Sequence, residues 1–145
     1  LYYAFKNHGS FKIISNKKIT SLRNAKKIFC NKKNKYNNLI IISSRSHNSI
    51  DQIKWLKKKY VNYKILEKGS SIKFCYIAEG LADLYPRFGP TSEWDIAAGN
   101  IILEEAGGLI RDFEGKKILY NNKESVINPS FVAYCNIDLF IKENL

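Results

Sequence analysis

Asp95 is the residue in this chain best placed for chemistry. It follows Trp94 in the stretch Gly89-Pro90-Thr91-Ser92-Glu93-Trp94-Asp95-Ile96-Ala97-Ala98-Gly99. Pro90 stops whatever precedes it, and Ser92 with Asp95 three residues on has the spacing of a capping box, with Asp in place of the usual Glu. Asp95 is therefore expected in the first turn of a helix, where the partial positive charge of the helix start keeps a carboxylate ionised. Such a group caps the helix, or it holds a divalent cation while N–H groups nearby face an anion. The local pattern leaves both open.

Three further stretches carry groups suited to anions. Gly69-Ser70-Ser71 opens a predicted helix with small side chains, free N–H groups and two hydroxyls. Lys73 stands in the first turn of that helix, against the preference of the helix dipole. Arg87 precedes the Gly89-Pro90 loop, and Arg is a bidentate phosphate clamp when placed at a site. Ser43-Ser44-Arg45-Ser46-His47 follows an apolar run, at the kind of strand end where open α/β sheets place ligands. Two of them have an ordinary alternative: an N-cap beside a solvated Lys, and a surface Arg.

The elements that must position these groups are legible from periodicity and turn signals. Leu1 to Lys6, the turn Asn7-His8-Gly9 and Ser10 to Ser15 read as a hairpin, with His8 a turn residue. Residues 16–38 are a Lys- and Asn-rich loop with a short strand near Lys26 to Cys30. Leu39–Ile42 reads as a buried strand, and Ser49 or Asn48 caps a helix reaching about Tyr60, with Ile50, Ile53, Trp55, Leu56 and Tyr60 as its apolar positions. Strands are expected at Tyr63–Leu66, Ala82–Tyr85, Leu109–Phe113, Lys117–Tyr120 and Phe131–Cys135. Helices are expected over residues 71–79, after Pro90 up to Gly107-Gly108, and from Asp138 to the end. Alternating strands and helices make an α/β layered unit.

Trp94-Asp95-Ile96-Ala97-Ala98-Gly99 followed by Glu105-Ala106-Gly107-Gly108 resembles the C-terminal signature of the inositol monophosphatase family. These are magnesium-dependent, lithium-sensitive phosphatases in which the Asp of the Trp-Asp pair is a metal ligand. Ser44-Arg45-Ser46-His47, Gly69-Ser70-Ser71-Ile72-Lys73-Phe74-Cys75, Tyr85-Pro86-Arg87-Phe88-Gly89-Pro90-Thr91 and Asn128-Pro129-Ser130-Phe131 are similar to one branch, the 3'(2'),5'-bisphosphate nucleotidases. That branch removes the 3'-phosphate of adenosine 3',5'-bisphosphate to give AMP, in connection with sulfur assimilation. Inositol phosphatases usually carry an apolar residue in place of Lys73 and lack the Tyr-Pro-Arg run.

The resemblance implies a mixed sheet flanked by helices, the C-terminal portion of the inositol monophosphatase/sugar phosphatase fold. Residues 1–38 would close an N-terminal sheet domain and 39–145 form an α/β subdomain. It implies that His47, Ser70, Lys73 and Arg87 contact the phosphates and sugar of the nucleotide, and that Asp95 binds Mg2+ beside the reacting phosphate. The family's other metal ligands, a Glu and an Asp-Pro-x-Asp-Gly-Thr motif, have no counterpart here: no Asp-Pro occurs, and residues 1–68 hold only Asp51 and Glu67 as acids. The chain also contains no Met. A fragment, inactive alone, is the resulting expectation. An inositol or sugar phosphatase, or a nucleotide-binding module without catalysis, are the competing readings.

Composition narrows the remaining classes. The net charge of +11 is concentrated in residues 1–68, with 17 Lys/Arg against 2 Asp/Glu. Lys, Asn and Ile, which have A/T-rich codons, account for 55 of the 145 residues, and only four Arg occur. Nucleic-acid readout favours Arg, so nucleic acid is not the expected partner, and a basic surface instead attracts a small polyanion. Cys30, Cys75 and Cys135 are odd in number and lack metal-binding spacing, as in a reduced, cytoplasmic protein. No apolar run is long enough to span a membrane, so any contact with the inner membrane face would be peripheral.

Overall fold

The structure, a computed structural model, describes the chain except residues 16–17, 20, 32–37, 45–48 and 145, and the side chains of 142–144. Strands β1 (Tyr2–Phe5), β2 (Gly9–Lys12) and β3 (Lys26–Ile28) form an antiparallel sheet. A five-stranded mixed sheet contains β4 (Leu39–Ser43), β5 (Tyr63–Glu67), β6 (Leu84–Arg87), β8 (Leu109–Asp112) and β10 (Phe131–Tyr134), in the order β5-β4-β6-β10-β8. Two-residue strands β7 (Thr91–Ser92) and β9 (Ile127–Asn128) pair beside it. The helices are α1 (Ile50–Lys59), α2 (Ile72–Ala78), α3 (Glu93–Glu105) and α4 (Ile137–Asn144).

Side-chain alternation assigns the helices to layers. Along β10, Phe131 stacks on Phe74 of α2, whereas Tyr134, of opposite parity, meets Phe140 of α4. Trp55 of α1 packs edge-on against Phe113, which continues the α4 side of β8. α2 and α3 therefore cover one face of the mixed sheet, and α1 and α4 cover the other. α3 also packs on β1 and β2, so it lies between two sheets. That position explains why Ile96, Ile102, Leu103 and Ala106 are all buried. Hydrogen bonds fasten the small sheet to the helix layer: the N–H groups of Asn7 and Gly9 donate to Glu105, and Tyr2 and Lys12 donate to Glu79.

The expected hairpin forms, and its turn needs left-handed backbone at Asn7 (φ 66°) and Gly9 (φ 99°). Ser49 caps α1 by accepting the Gln52 N–H. The apolar reading of α1 is corrected in part. Ile50 and Ile53 are exposed, while Gln52 is buried and donates to Ser43 Oγ at 2.7 Å. The strand expected at Ala82–Tyr85 is displaced two residues to Leu84–Arg87, because Asp83 is consumed upstream. Its N–H donates to the Ile40 carbonyl and its carboxylate accepts the Ile40 N–H at 2.8 Å, which fixes the entry of β4. Pro86 is tolerated in this central strand because β4 pairs with β6 only at Ile41–Leu84, leaving Pro86 beyond that pairing.

Lys117–Tyr120 is not a strand. Asp112 closes a turn by accepting the N–H groups of Glu114 and Lys116, and Glu93 of α3 accepts the Asn121 N–H at 2.9 Å. The intervening segment is thereby drawn away from the β8 edge.

Gly99 sits where α3 crosses α2, and a Cβ there would enter the Phe74 ring. Gly99→Ala is expected to destabilise the chain by about 1–3 kcal/mol, since overpacking displaces backbone or forces strained rotamers. Urea denaturation checks this, and an unchanged midpoint would show that Phe74 yields freely.

Candidate anion-binding site

The C-terminal end of β6, the loop before α2 and the first turn of α3 enclose a cleft of about 440 Å³. Ser70, Lys73, Arg87 and Asp95 all line it, together with Ser44, Tyr85 and Trp94. Four of the five residues singled out in the sequence are thus brought together. The fifth, His47, lies outside the described residues, as do Arg45 and Ser46.

Lys73 is the least ordinary of them. It is only 5% exposed, which excludes the solvated alternative. Its ammonium donates to the Ser70 carbonyl at 2.7 Å and lies 4.9 Å from the centre of the Tyr85 ring. Among the described residues it has no carboxylate partner. Burial, helped by the positive charge of Arg87, lowers its pKa to about 8. Ser70, whose carbonyl takes that bond, has φ 59°, a conformation uncommon for a residue with a Cβ. Backbone strain of this kind gathers at ligand clamps. Ser71 begins α2 without a side-chain capping bond.

Arg87 extends from β6 on the same face as Tyr85, opposite Phe131 in the register. Its guanidinium donates to Ser44 Oγ at 3.4 Å and to the Pro90 carbonyl at 3.2 Å, and its Nε is buried with no partner among the described residues. No carboxylate pairs with it among the described residues. Two cations side by side, both lacking an acid, are an arrangement that an anion completes.

Asp95 fulfils the capping reading. Its Oδ2 accepts the Ser92 N–H at 2.8 Å and closes the capping box. This leaves its other oxygen without a protein partner among the described residues. Asp95 is the only carboxylate among the residues lining the cleft, and the described residues contain no cluster of three His, Cys, Asp or Glu. The side chain therefore suits one ligand position of a hard cation, and the described residues do not by themselves assemble the oxygen cage that magnesium takes. The cysteines play no part. Burial pushes the thiols of Cys30 and Cys135 up to about 12 and that of Cys75 to about 11, so all three stay protonated.

Tyr85 and Trp94 had no assigned role in the sequence reading. The Tyr-Pro-Arg run could have pointed to Tyr85, since alternation puts it on the same face as Arg87. For Trp94 the signal was its position beside Asp95.

The family described as "Inositol monophosphatase family" matches residues 1–142. The chain is 45% identical over 92 residues to the 3'(2'),5'-bisphosphate nucleotidase CysQ of Salmonella typhimurium; the match covers 63% of this chain and 37% of that protein. The crystal structure of CysQ from Bacteroides thetaiotaomicron superposes with a TM-score of 0.76 at 34% identity, over 92% of this chain and 52% of that one. An inositol monophosphatase from Anabaena shares the fold at 20% identity, with a TM-score of 0.64, 93% of this chain and 49% of that one being covered. The chain thus spans about half the length of the solved relatives, and less of the curated one.

The buried ammonium makes stability depend on pH. Unfolded, Lys73 titrates near 10.5, and folded it titrates near 8. Between those values the unfolded chain binds the proton and the native state does not, so its contribution to stability rises with pH across that window. Below about pH 8 the penalty of the buried charge is fully present. Lys73→Met should therefore be more stable than wild type by roughly 1–3 kcal/mol at pH 7, and the advantage should vanish as pH approaches 10.5. Paired chemical denaturations across this range test it; an advantage that does not change with pH would place the ammonium in solvent.

Proposed function

The chain belongs to the inositol monophosphatase family, and from that premise we propose that its cleft serves the hydrolysis of adenosine 3',5'-bisphosphate to AMP and phosphate. The observation that carries this reading is the acid-free pair Lys73 and Arg87. A monophosphate brings about two negative charges and a bisphosphate close to four. Two adjacent cations beside a reacting position leave charge unbalanced for a sugar monophosphate and balance it for a second phosphate. The similarity to proteins named 3'(2'),5'-bisphosphate nucleotidase supports the same choice.

In this reading the roles divide by position. Arg87, which lines the cleft, donates from its guanidinium to the non-reacting phosphate. Lys73, held against the Ser70 carbonyl, adds the second charge at short range. Its proton is retained at neutral pH and held more firmly once the anion is bound. Ser70 offers its hydroxyl to phosphate or sugar, and the role of His47 toward the nucleotide rests on the family resemblance alone.

Proteins of this family work with metal ions, and the metal we propose is magnesium, with Asp95 as one ligand. When bound, the ion polarises the scissile phosphoryl group and activates water. In this proposal the remaining ligands come from outside the described residues, so the 145-residue chain alone binds the nucleotide without turning it over. The capping bond from Ser92 fixes the Asp95 carboxylate on the cleft side of α3.

The test is calorimetry on the purified chain with adenosine 3',5'-bisphosphate and with ribose 5-phosphate. A charge-assisted hydrogen bond contributes about 1.5–3 kcal/mol, so Arg87→Ala should weaken the bisphosphate about tenfold to a hundredfold and the monophosphate little. Asp95→Asn should leave both affinities unchanged without metal and abolish any strengthening by Mg2+. Equal losses on both ligands for Arg87→Ala would assign Arg87 to the reacting phosphate or to the scaffold.

A further inference from the structure

Of the aromatic rings that line the cleft, Phe74 and Tyr85 are buried and Trp94 is exposed. Trp94 lines the cleft beside Asp95 and is 70% exposed. Among the described residues no ring or cation packs against it. The chain's other tryptophan, Trp55, is packed edge-on by Tyr60, Phe88 and Phe113 and covered by the Lys59 ammonium.

The backbone beneath Trp94 is firmly held. Ser92 pairs with Ile127 across the β7–β9 ladder, and the Glu93 N–H donates to the Val126 carbonyl at 2.9 Å. The Glu93 carboxylate accepts the Asn121 N–H and is bridged by Lys123. The capping box adds a bond from the other side. A bulky ring on a clamped turn, facing a cleft, is a preorganised surface for a flat ligand. The cleft volume of about 440 Å³ lies in the range of small-molecule sites and leaves room for more than phosphates. The cationic groups take charge, the serines and Thr91 take hydrogen bonds, and among the described residues lining the cleft only Trp94 offers an exposed aromatic face.

We propose that Trp94 is the stacking platform for the nucleobase, so that the cleft recognises a heteroaromatic ring in addition to its phosphates. This rests on the nucleotide reading above and adds the residue that binds the part of the ligand carrying no charge. Stacking tolerates any base, because every base has a π-face. Discrimination among bases is therefore expected to be weak, and discrimination against a ligand lacking a base strong.

The experiment uses the full 145-residue chain, with circular dichroism to confirm that each variant is folded. Affinities for adenosine 3',5'-bisphosphate and for abasic deoxyribose 3,5-bisphosphate are measured for wild type, Trp94→Leu and Trp94→Phe. Trp94→Leu should weaken the adenosine ligand about five- to a hundredfold and the abasic ligand less than about twofold, and Trp94→Phe should restore most of the loss. In a Trp55→Phe background, the adenosine ligand should quench the remaining tryptophan fluorescence and the abasic ligand should not. If Trp94→Leu weakens both ligands equally, Trp94 merely supports the Asp95 turn and the inference falls. It also falls if the variant changes neither affinity while wild type binds both. If wild type binds neither ligand, the nucleotide reading itself fails along with it.

Discussion

The site depends on how closely α2 and α3 approach. Phe74 of α2 lies against Gly99 of α3 with no room for a methyl group, and the same ring packs on Tyr85 and Phe131 of the sheet below. Lys73 is the residue before Phe74, and Asp95 lies four residues before Gly99, about one helical turn. The contact that closes the helix pair therefore also sets the distance between the buried cation and the capping carboxylate. α3 is held from its other side by the small sheet, through Glu105 and through Ser10, whose hydroxyl donates to the Ile102 carbonyl. The mixed sheet and the helix layer form the cleft, and the small sheet braces α3 from its other side.

The electrostatics follow from that packing. A buried ammonium is tolerated where its hydrogens have acceptors and a ring face lies nearby. Lys73 has the Ser70 carbonyl and the Tyr85 ring, and its neighbour is another cation. The buried charge costs stability at this point, and a bound anion would offset that cost. Two other lysines among the described residues are paired with acids in the ordinary way, Lys12 with Glu79 and Lys123 with Glu93. The contrast locates the site more sharply than the overall charge of +11 does.

Local chemistry was legible where it is local. The Ser92–Asp95 capping box, the Ser49 cap and the Asn7-His8-Gly9 turn depend on neighbours within four residues, and each formed as the sequence implied. The order of strands and helices followed from periodicity, with the exception of Lys117–Tyr120. Its β-prone residues do not form a strand, because Asn121 and Lys123 are tied to Glu93, far away in sequence. The β7–β9 ladder escaped because two-residue strands carry no periodicity. The burial of Lys73 and the unpartnered Trp94 arise from tertiary packing, and no window of sequence encodes them. The co-location of Ser70, Lys73, Arg87 and Asp95 was expected from the family resemblance and is met by the geometry of one cleft.

Lys73 is a buried cation with no acid beside it among the described residues, and we propose that a polyanion supplies the counter-charge. The most direct test is NMR titration of the Lys73 side chain, assigned with the Lys73→Met variant, with and without adenosine 3',5'-bisphosphate. The free pKa should lie near 8 and move above about 10 once the bisphosphate is bound, as a nearby opposite charge requires. A free value already at the ordinary lysine position, or one that saturating bisphosphate leaves unmoved, would contradict the proposal.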